Sequence, residues 1–437
     1  MSRRRVIAAG AAAAAVLAAG CGSGGGGASP ATTTSGTAGA TTRGVTASTI
    51  RVGIPYVDLA ALKSLGINLN QGNFAHVYTA LIDNMNAHGG VDGRKIVPYI
   101  VPVSPTTTTA ALTACTQLVQ DDQVFVAINP LSPECYLEHQ TPVINGGTLG
   151  TTGAPPAGSA VDFVVGPPPA VYDPLQLAAF AKQGVFKGKK VGLYADTVDT
   201  SELAVVQASL KKLGVDVVQS AVNSAPSTDQ VAANQQGAVI AERFKSLGVD
   251  EVVAVGGASS GWPTVLENNQ STYNPPWVAT SANDLGGLVS SKTANDPTYL
   301  KNLLTSSATL TNYQAWSDPA IQKCVSIVRK AYPSDVIISP PPPTTLVTNT
   351  SDNSYVSVEA ACEDLALFAK IAGAAGKNLT VASFTQAGYG LRNVTLPGSG
   401  GPVSFGPGQA YTTGPVFVGT YDVSSKQIVY SSKPAAT

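Results

Sequence analysis

The sequence predicts an α/β chain built as two similar lobes, each around a parallel central sheet. Three observations carry that prediction. Strand-like and helix-like apolar patterns alternate, the alternation starts afresh near the middle, and a leader and polar tether precede both.

Residues 1–20 carry Arg3, Arg4 and Arg5, then an apolar run broken only by Gly10, and the segment ends in "LAAG" before Cys21. Three cations, a short apolar stretch and small residues before a cysteine make an export signal. The stretch is too short for a stable membrane-spanning helix. The "LAAGC" ending resembles the lipobox of bacterial lipoproteins, with Ala18 in the usual aliphatic place and Leu17 one position further away. Cys21 is then the lipid-bearing residue. "SRRRVI" also resembles a twin-arginine signal, so the general and twin-arginine routes both stay open. Residues 21–44 are Gly, Ser, Thr, Ala and Pro with one charge, Arg43, and form a flexible tether. A lipid-anchored body on the outer face of the cytoplasmic membrane follows from these segments.

Of 26 Lys and Arg, loss of the leader leaves 23 against 27 Asp and Glu, a net of −4. That balance gives no reason to expect nucleic acid or an anionic membrane patch as partner. With Cys21 lipidated, Cys115, Cys135, Cys324 and Cys362 remain, an even number in an exported chain. Three pairings are possible, and locality selects Cys115–Cys135 and Cys324–Cys362. Each bridge would be worth about 3 kcal/mol. Zinc is disfavoured because no C-x-x-C pair or nearby histidine supports it.

In order, "TIRVGIP" (49–55) is strand-like, and Phe74, Val77, Tyr78, Leu81, Ile82 and Met85 fall on one helical face. "KIVPYIV" (95–101) is a second strand, a helix through Leu112, Cys115 and Leu118 follows, and "QVFVAI" (123–128) is a third strand. After "FVVGPPPAVYDP" (163–174) a helix leads to "KKVGLYA" (189–195). Then come a helix with Leu203, Val206, Leu210 and Leu213, the strand "VDVVQSA", a helix with Val239, Ile240, Phe244 and Leu247, and "DEVVAVG" (250–256). Helices at 318–332 and 355–375 flank an extended proline-rich loop, and short strands close the chain from 402.

"GVTASTIRVGIP", "NMNAHGGVDGRKIV", the Cys115 and Cys135 pair and "GPVSFGPG" together resemble type I periplasmic binding proteins, most closely the branched-chain amino-acid receptors of ABC importers. The resemblance runs from Gly44 to the C-terminus. It implies two Rossmann-like lobes joined by a hinge, with lobe 1 from 45–166 and 308–390 and lobe 2 from 167–307 and 391–437. It also implies a monomer with no cofactor, a small-molecule ligand, and a membrane permease as partner.

"GGVDGRK" follows a helix and precedes a strand, the reverse of a phosphate loop, so Gly89 and Gly90 are read as a helix stop and Asp92-Gly93 as a turn. "GASSG" (257–261) has the spacing of a hydrolase nucleophile elbow around Ser259, but His76, His88 and His139 all precede it, which breaks the triad order. A serine hydrolase is therefore the weaker alternative, and a ligand-sensing receptor of a signalling system uses the same cleft as an importer.

Ligands of open α/β sheets bind beyond the carboxyl ends of strands. Lobe 1 offers Tyr56, Asp58, Asn129, Ser132, Tyr136 and Thr148 there, and lobe 2 offers Asp196, Thr197, Ser259, Trp262, Asn283 and Asp284. The resemblance implies that Tyr136 and Thr148 hold a ligand carboxylate and Asp284 an ammonium. "CYLEHQT" stands where the receptor group carries serines and threonines, which points away from leucine, isoleucine and valine toward another amino acid, an amide or a related small polar molecule.

Overall fold

The computed structural model describes residues 42–63, 68–105, 107–145, 158–225, 229–269, 271–281, 297–343 and 352–436. Among them, β1 (Thr49–Val57), β2 (Lys95–Val103), β3 (Val126–Ile128), β4 (Val143–Asn145) and β5 (Asp162–Val164) form a five-stranded sheet in the order β2-β1-β3-β4-β5. All its pairings are parallel, as the intervening helices require. Those helices are α1 (Ala60–Lys63), α2 (Phe74–Ala87), α3 (Thr108–Thr116) and α4 (Pro133–Glu138).

The second lobe runs α5 (Pro169–Lys182), β6 (Lys190–Asp196), α6 (Thr200–Lys212), β7 (Asp216–Asn223), α7 (Gln230–Ser246), β8 (Glu251–Ala254), α8 (Ala258–Asn269), β9 (Trp277–Ala279) and β10 (Leu303–Ser307). The chain then returns to lobe 1 with α9 (Asn312–Trp316), α10 (Pro319–Ala331), α11 (Val356–Ala375), α12 (Val381–Gly390) and the small pair β11 (Val394–Thr395) and β12 (Pro402–Val403). β13 (Phe417–Asp422) and β14 (Gln427–Tyr430) finish the second sheet, ordered β14-β13-β10-β9-β8-β6-β7, with β13 antiparallel to β10.

Sequence periodicity explains the cores. Val77, Tyr78, Leu81 and Ile82 turn one face of α2 onto Ile50, Val52 and Ile54 of β1, and α10 and α11 join them through Val325, Val358 and Phe368. Lobe 2 buries both sheet faces. Phe244, Trp262 and Trp277 cover one, and Leu177, Phe180, Val206 and Leu210 cover the other. Both expected disulfides are present, Cys115–Cys135 tying α3 to α4 and Cys324–Cys362 tying α10 to α11, with Cα separations of 6.4 and 6.1 Å.

Three chain crossings join the lobes side by side. The first follows β5 and the third precedes β13, and they pair as a parallel bridge between Val164 and Tyr411. Val164 N–H donates to Ala410 O at 2.9 Å, Thr412 N–H donates to Val164 O at 3.2 Å, and Gly166 N–H donates to Thr412 Oγ1 at 2.8 Å. The second crossing, after β10, presses on the third at Gly414. A Cβ there would lie 2.3 Å from Ala308 O, so only glycine permits this approach.

The "GGVDGRK" turn ends α2 as expected. Gly90 N–H donates to Met85 O at 2.9 Å, and Gly90 has φ +67° with no room for a Cβ against Arg94 O. Arg94 is buried, and its guanidinium donates to the carbonyls of Thr46, Gly376 and Lys377, so its donors staple three lobe 1 segments.

Several expectations need correction. Leu391, Leu396, Phe405 and Ala410 pack in the first core, so lobe 1 extends to about residue 410 and lobe 2 resumes after it, not at 391. Helix α5 begins at Pro169, where a proline costs no amide bond, and it carries Pro174 inside it at the loss of one, while Leu177 and Phe180 pack on lobe 2. β3 is only Val126–Ile128, and α12 was not foreseen. Leu112, Leu213, Val239 and Leu247 lie on exposed helix sides and not in the core stripe.

Candidate functional site

The lobe 2 wall is built where β6, β8 and β9 end. After β6 a single 3₁₀ turn, Thr197–Asp199, delivers the chain to α6, and this puts Asp196, Asp199 and Glu202 at successive three-residue steps. β8 ends in the turn Gly256-Gly257, whose amide at Gly257 donates to Asp199 Oδ1 at 3.2 Å. Gly256 sits at φ +55°, and a Cβ on it would fall 2.6 Å from Asp199 Oδ1 and 3.0 Å from Glu202 Oε2. Glycine is thus what lets two acids close over this turn. Asp196 lies on the other side, with Oδ2 3.8 Å from where a Cβ on Gly261 would stand.

Behind the acids runs a chain of buried hydrogen bonds. Gly256 N–H donates to Thr280 Oγ1 at 2.8 Å, and Thr280 Oγ1 donates to Glu202 Oε1 at 2.9 Å. Gln176 Nε2 donates to Asp173 Oδ1 at 2.8 Å and to Thr280 O at 3.0 Å, while Ser306 Oγ donates to Gln176 Oε1 at 2.8 Å. Tyr172 OH, at the hinge end, donates to Ser306 Oγ at 2.9 Å. The network therefore reaches from the crossings to the acidic wall.

Burial sets the protonation here. Asp173 is 1% exposed, and burial first and the Glu202 carboxyl second push it up to about 9. Glu202 is raised by burial and then by Asp199, against the hydrogen bonds from Thr280 and Asp173. Asp196 is raised by burial and by Asp199. Asp173 therefore keeps its proton near neutrality, since two neighbouring buried carboxylates cannot readily both ionise. A cationic group arriving at this wall would meet acids already short of solvent.

Lobe 1 presents a different wall. Tyr56, half-buried, stacks on Phe74 with ring centroids 6.2 Å apart, and Asp58 Oδ1 accepts the amide of Ala60 at 3.0 Å, capping α1. Asn129 turns the chain at φ +51° after β3, and Ser132 precedes α4 with its hydroxyl unused as a cap. Asp58 and Ser132 are both half-buried at this edge. Thr197 is exposed on the opposite lobe.

Two expected site residues lie elsewhere. Tyr136 is 1% exposed, packed with Cys115, Leu118 and Val143. The first turn of α4 points it into lobe 1, so it lines the core and not the cleft. Trp262 is fully buried against Tyr194 and Phe244, at centroid distances of 5.0 and 6.0 Å, because α8 turns that face onto the sheet. Thr148, Asn283, Asp284 and Cys21 lie outside the described residues, as does the side chain of Ser259. Asp199, Glu202, Thr280, Asp173 and Gln176 were missed. The acids spaced by three directly after a strand were the available signal, whereas Asp173 and Gln176 reach the wall from a helix that sequence placed behind the sheet.

Two lobes with parallel sheets, three crossings and strand-end walls define the class of two-lobed binding proteins. The chain belongs to the periplasmic binding protein family, whose profile matches residues 73–427. No match was found among curated protein sequences. Among solved structures, an ABC transporter substrate-binding protein from Desulfitobacterium hafniense in complex with Leu is similar at 14% identity and TM-score 0.58, covering 87% of this chain and 99% of that one. A fatty acid ABC transporter substrate-binding protein from Thermomonospora curvata matches at 16% identity and TM-score 0.58, covering 91% and 95%. A solute binding protein of an ABC transporter from Rhodopseudomonas palustris BisB5, in complex with 3,4-dihydroxy benzoic acid, matches at 13% identity and TM-score 0.55, covering 89% and 98%.

Proposed function

We propose that this protein is the lipid-anchored, extracytoplasmic solute receptor of an ABC importer, and that it takes a small polar ligand bearing an ammonium or amide group between its lobes. The observation that carries the reading is the acidic wall of Asp196, Asp199 and Glu202 around Gly256-Gly257. Acids held at reduced solvation beside an open strand edge suit a cation or an N–H donor and disfavour a bare carboxylate. Tyr56, Asn129 and Ser132 on lobe 1 supply hydroxyl and amide groups for the ligand's other end. Solved relatives of this fold are described with leucine and with a dihydroxybenzoate, so the fold leaves the ligand's charge to such side chains.

Ligand contacts to both lobes would favour the closed form, which a membrane permease then recognises. Cys21 would carry the lipid and residues 22–44 the tether, with the receptor acting as a monomer and without a cofactor. No helix among the described residues is long and apolar enough to cross a membrane.

A thermal-shift screen of the full mature chain against amino acids, amides, short-chain acids and hydroxybenzoates tests the reading. A ligand at a hundredfold excess over Kd stabilises by about 2.7 kcal/mol. Amino acids or amides should shift the melting temperature, and Asp196→Asn with Glu202→Gln should weaken them at least tenfold. Binding confined to carboxylic acids, and unchanged or tightened by those substitutions, would refute it. Lipidation is tested separately by Cys21→Ser, which should release the protein from the membrane fraction.

A further inference from the structure

Beside the crossings lies a cavity of about 370 Å³ that contains none of the strand-end residues of the cleft. Val165, Ser307 and Tyr430 bring the first crossing, the second crossing and the edge of the lobe 2 sheet to it, while α9, α10 and α11 close it from lobe 1. Leu310, Ile321 and Val356 give it an apolar floor, and Thr309, Thr311 and Asn312 add polar lining. Against that floor α11 sets Glu359 and Glu363, four residues apart and so on one helical face.

Glu359 is 8% exposed. Its Oε2 accepts a hydrogen bond from Asn312 Nδ2, and its Oε1 is buried without a partner among the described residues. Among the described residues no Lys, Arg or His lines the cavity. A buried carboxylate normally comes with a cation or a full set of donors, because stranding it costs several kcal/mol of lost hydration. Burial raises Glu359 to about 7 and drives Glu363 well above its ordinary range, which fits two carboxyls lacking a counter-charge.

We propose that this cavity is a second ligand site, separate from the cleft, that takes a small aliphatic primary ammonium, its charged head between Glu359 and Glu363 and its alkyl body on Leu310, Ile321 and Val356. An organic cation fits better than a metal ion. No group of three metal-ligating side chains occurs among the described residues, and Leu310, Ile321 and Val356 offer a metal ion no ligand while they suit an alkyl chain. The site touches both lobes at their pivot, so its occupancy is coupled to lobe closure, and the coupling is reciprocal with the cleft ligand.

The test is calorimetric titration of the full mature chain with n-butylammonium at pH 8, with calcium chloride titrated separately. The wild-type protein should bind butylammonium. Glu359→Gln with Glu363→Gln should weaken it at least tenfold, and so should Ala360→Phe, which fills the cavity and keeps both acids. Glu242→Gln, at a solvent-exposed acid of α7 outside both sites, should leave butylammonium affinity within twofold. Unchanged melting of each variant shows that folding is intact. The proposal is overturned by absent butylammonium binding, by binding that survives both cavity variants, by an equal loss of binding on Glu242→Gln, or by calcium occupying the site in place of the amine. Because the thermal-shift screen with Asp196→Asn and Glu202→Gln reports on the cleft and the cavity variants report on this site, failure of one does not imply failure of the other.

Discussion

The two lobes brace their cleft walls by different means. Lobe 1 carries both disulfides, and the residues at its cleft edge, Tyr56, Asp58, Asn129 and Ser132, are mostly neutral and locally held. Lobe 2 has no cysteine, and its wall is a set of acids held by the chain Tyr172, Ser306, Gln176, Asp173 and Thr280. A cross-link that constrains the unfolded chain is indifferent to pH between 4 and 9, whereas a wall of acids raised by burial is not. The contrast assigns mechanical stability to one lobe and tunable recognition to the other.

The largest effect should come from removing both bridges. Their sequence separations of 20 and 38 correspond to about 3 and about 4 kcal/mol on the loop-entropy scale. Alanine at all four cysteines should therefore strip amide-exchange protection from β1 and α11 and leave β6 and β8 protected. Equal loss in both lobes would erase the comparison.

Next comes the aromatic packing that lobe 2 uses in place of a cross-link. Trp262→Ala should cost about 3–5 kcal/mol by denaturant unfolding, as for other large buried aromatics. Trp262→Phe should cost less and leave ligand affinity within twofold, since the indole lies in the core against Tyr194 and Phe244. A large affinity loss in a stable Trp262→Phe variant would return that side chain to the cleft.

Where the lobes meet, Gly414→Ala should cost about 1–3 kcal/mol, the range for overpacking, because the added methyl meets Ala308 O. Gly401→Ala, with open space around it, is the control and should sit near zero. Small-angle scattering should show the Gly414 variant displaced in its lobe opening. An unchanged scattering curve and melting temperature would mean that the crossings yield without consequence.

The sequence carried the fold at the level of period and punctuation. Alternation placed β1, β2, β3, β6, β7 and β8 but not the buried β4, β5, β9 and β10, the glycines of "GGVDGRK" announced a turn, and cysteine locality gave both bridges. It failed where direction matters. Tyr136 and Trp262 follow strands as cleft residues do, yet a few residues' rotation of α4 and α8 turns them inward. Burial of Asp173 and Gln176 could not be read either, because their partners Glu202, Thr280 and Ser306 are 29 to 130 residues away along the chain. Local patterns fix which face of a strand is apolar, and only tertiary closure decides which polar groups are brought together behind it.

The smallest effect separates the lobes by proton. Asp162 and Asp364 of lobe 1 are raised by burial to about 7, so the folded state holds their protons more tightly than the unfolded chain does. Their contribution is fully present below pH 4 and is lost as pH rises to about 7. Asp173 extends that loss in lobe 2 to about pH 9. Stability should fall by up to about 1.4 kcal/mol per pH unit for one such proton. Glu363, at the hinge cavity, is also raised well above its ordinary range, so the decisive comparison is between variants. Asp173→Asn keeps the acceptor for Gln176 and removes the proton, and it should flatten the decline between pH 7 and 9 that Glu363→Gln leaves in place. If Asp173→Asn leaves the slope as steep as before, Asp173 holds no proton behind the lobe 2 wall, and the acids there stand ionised in front of the ligand.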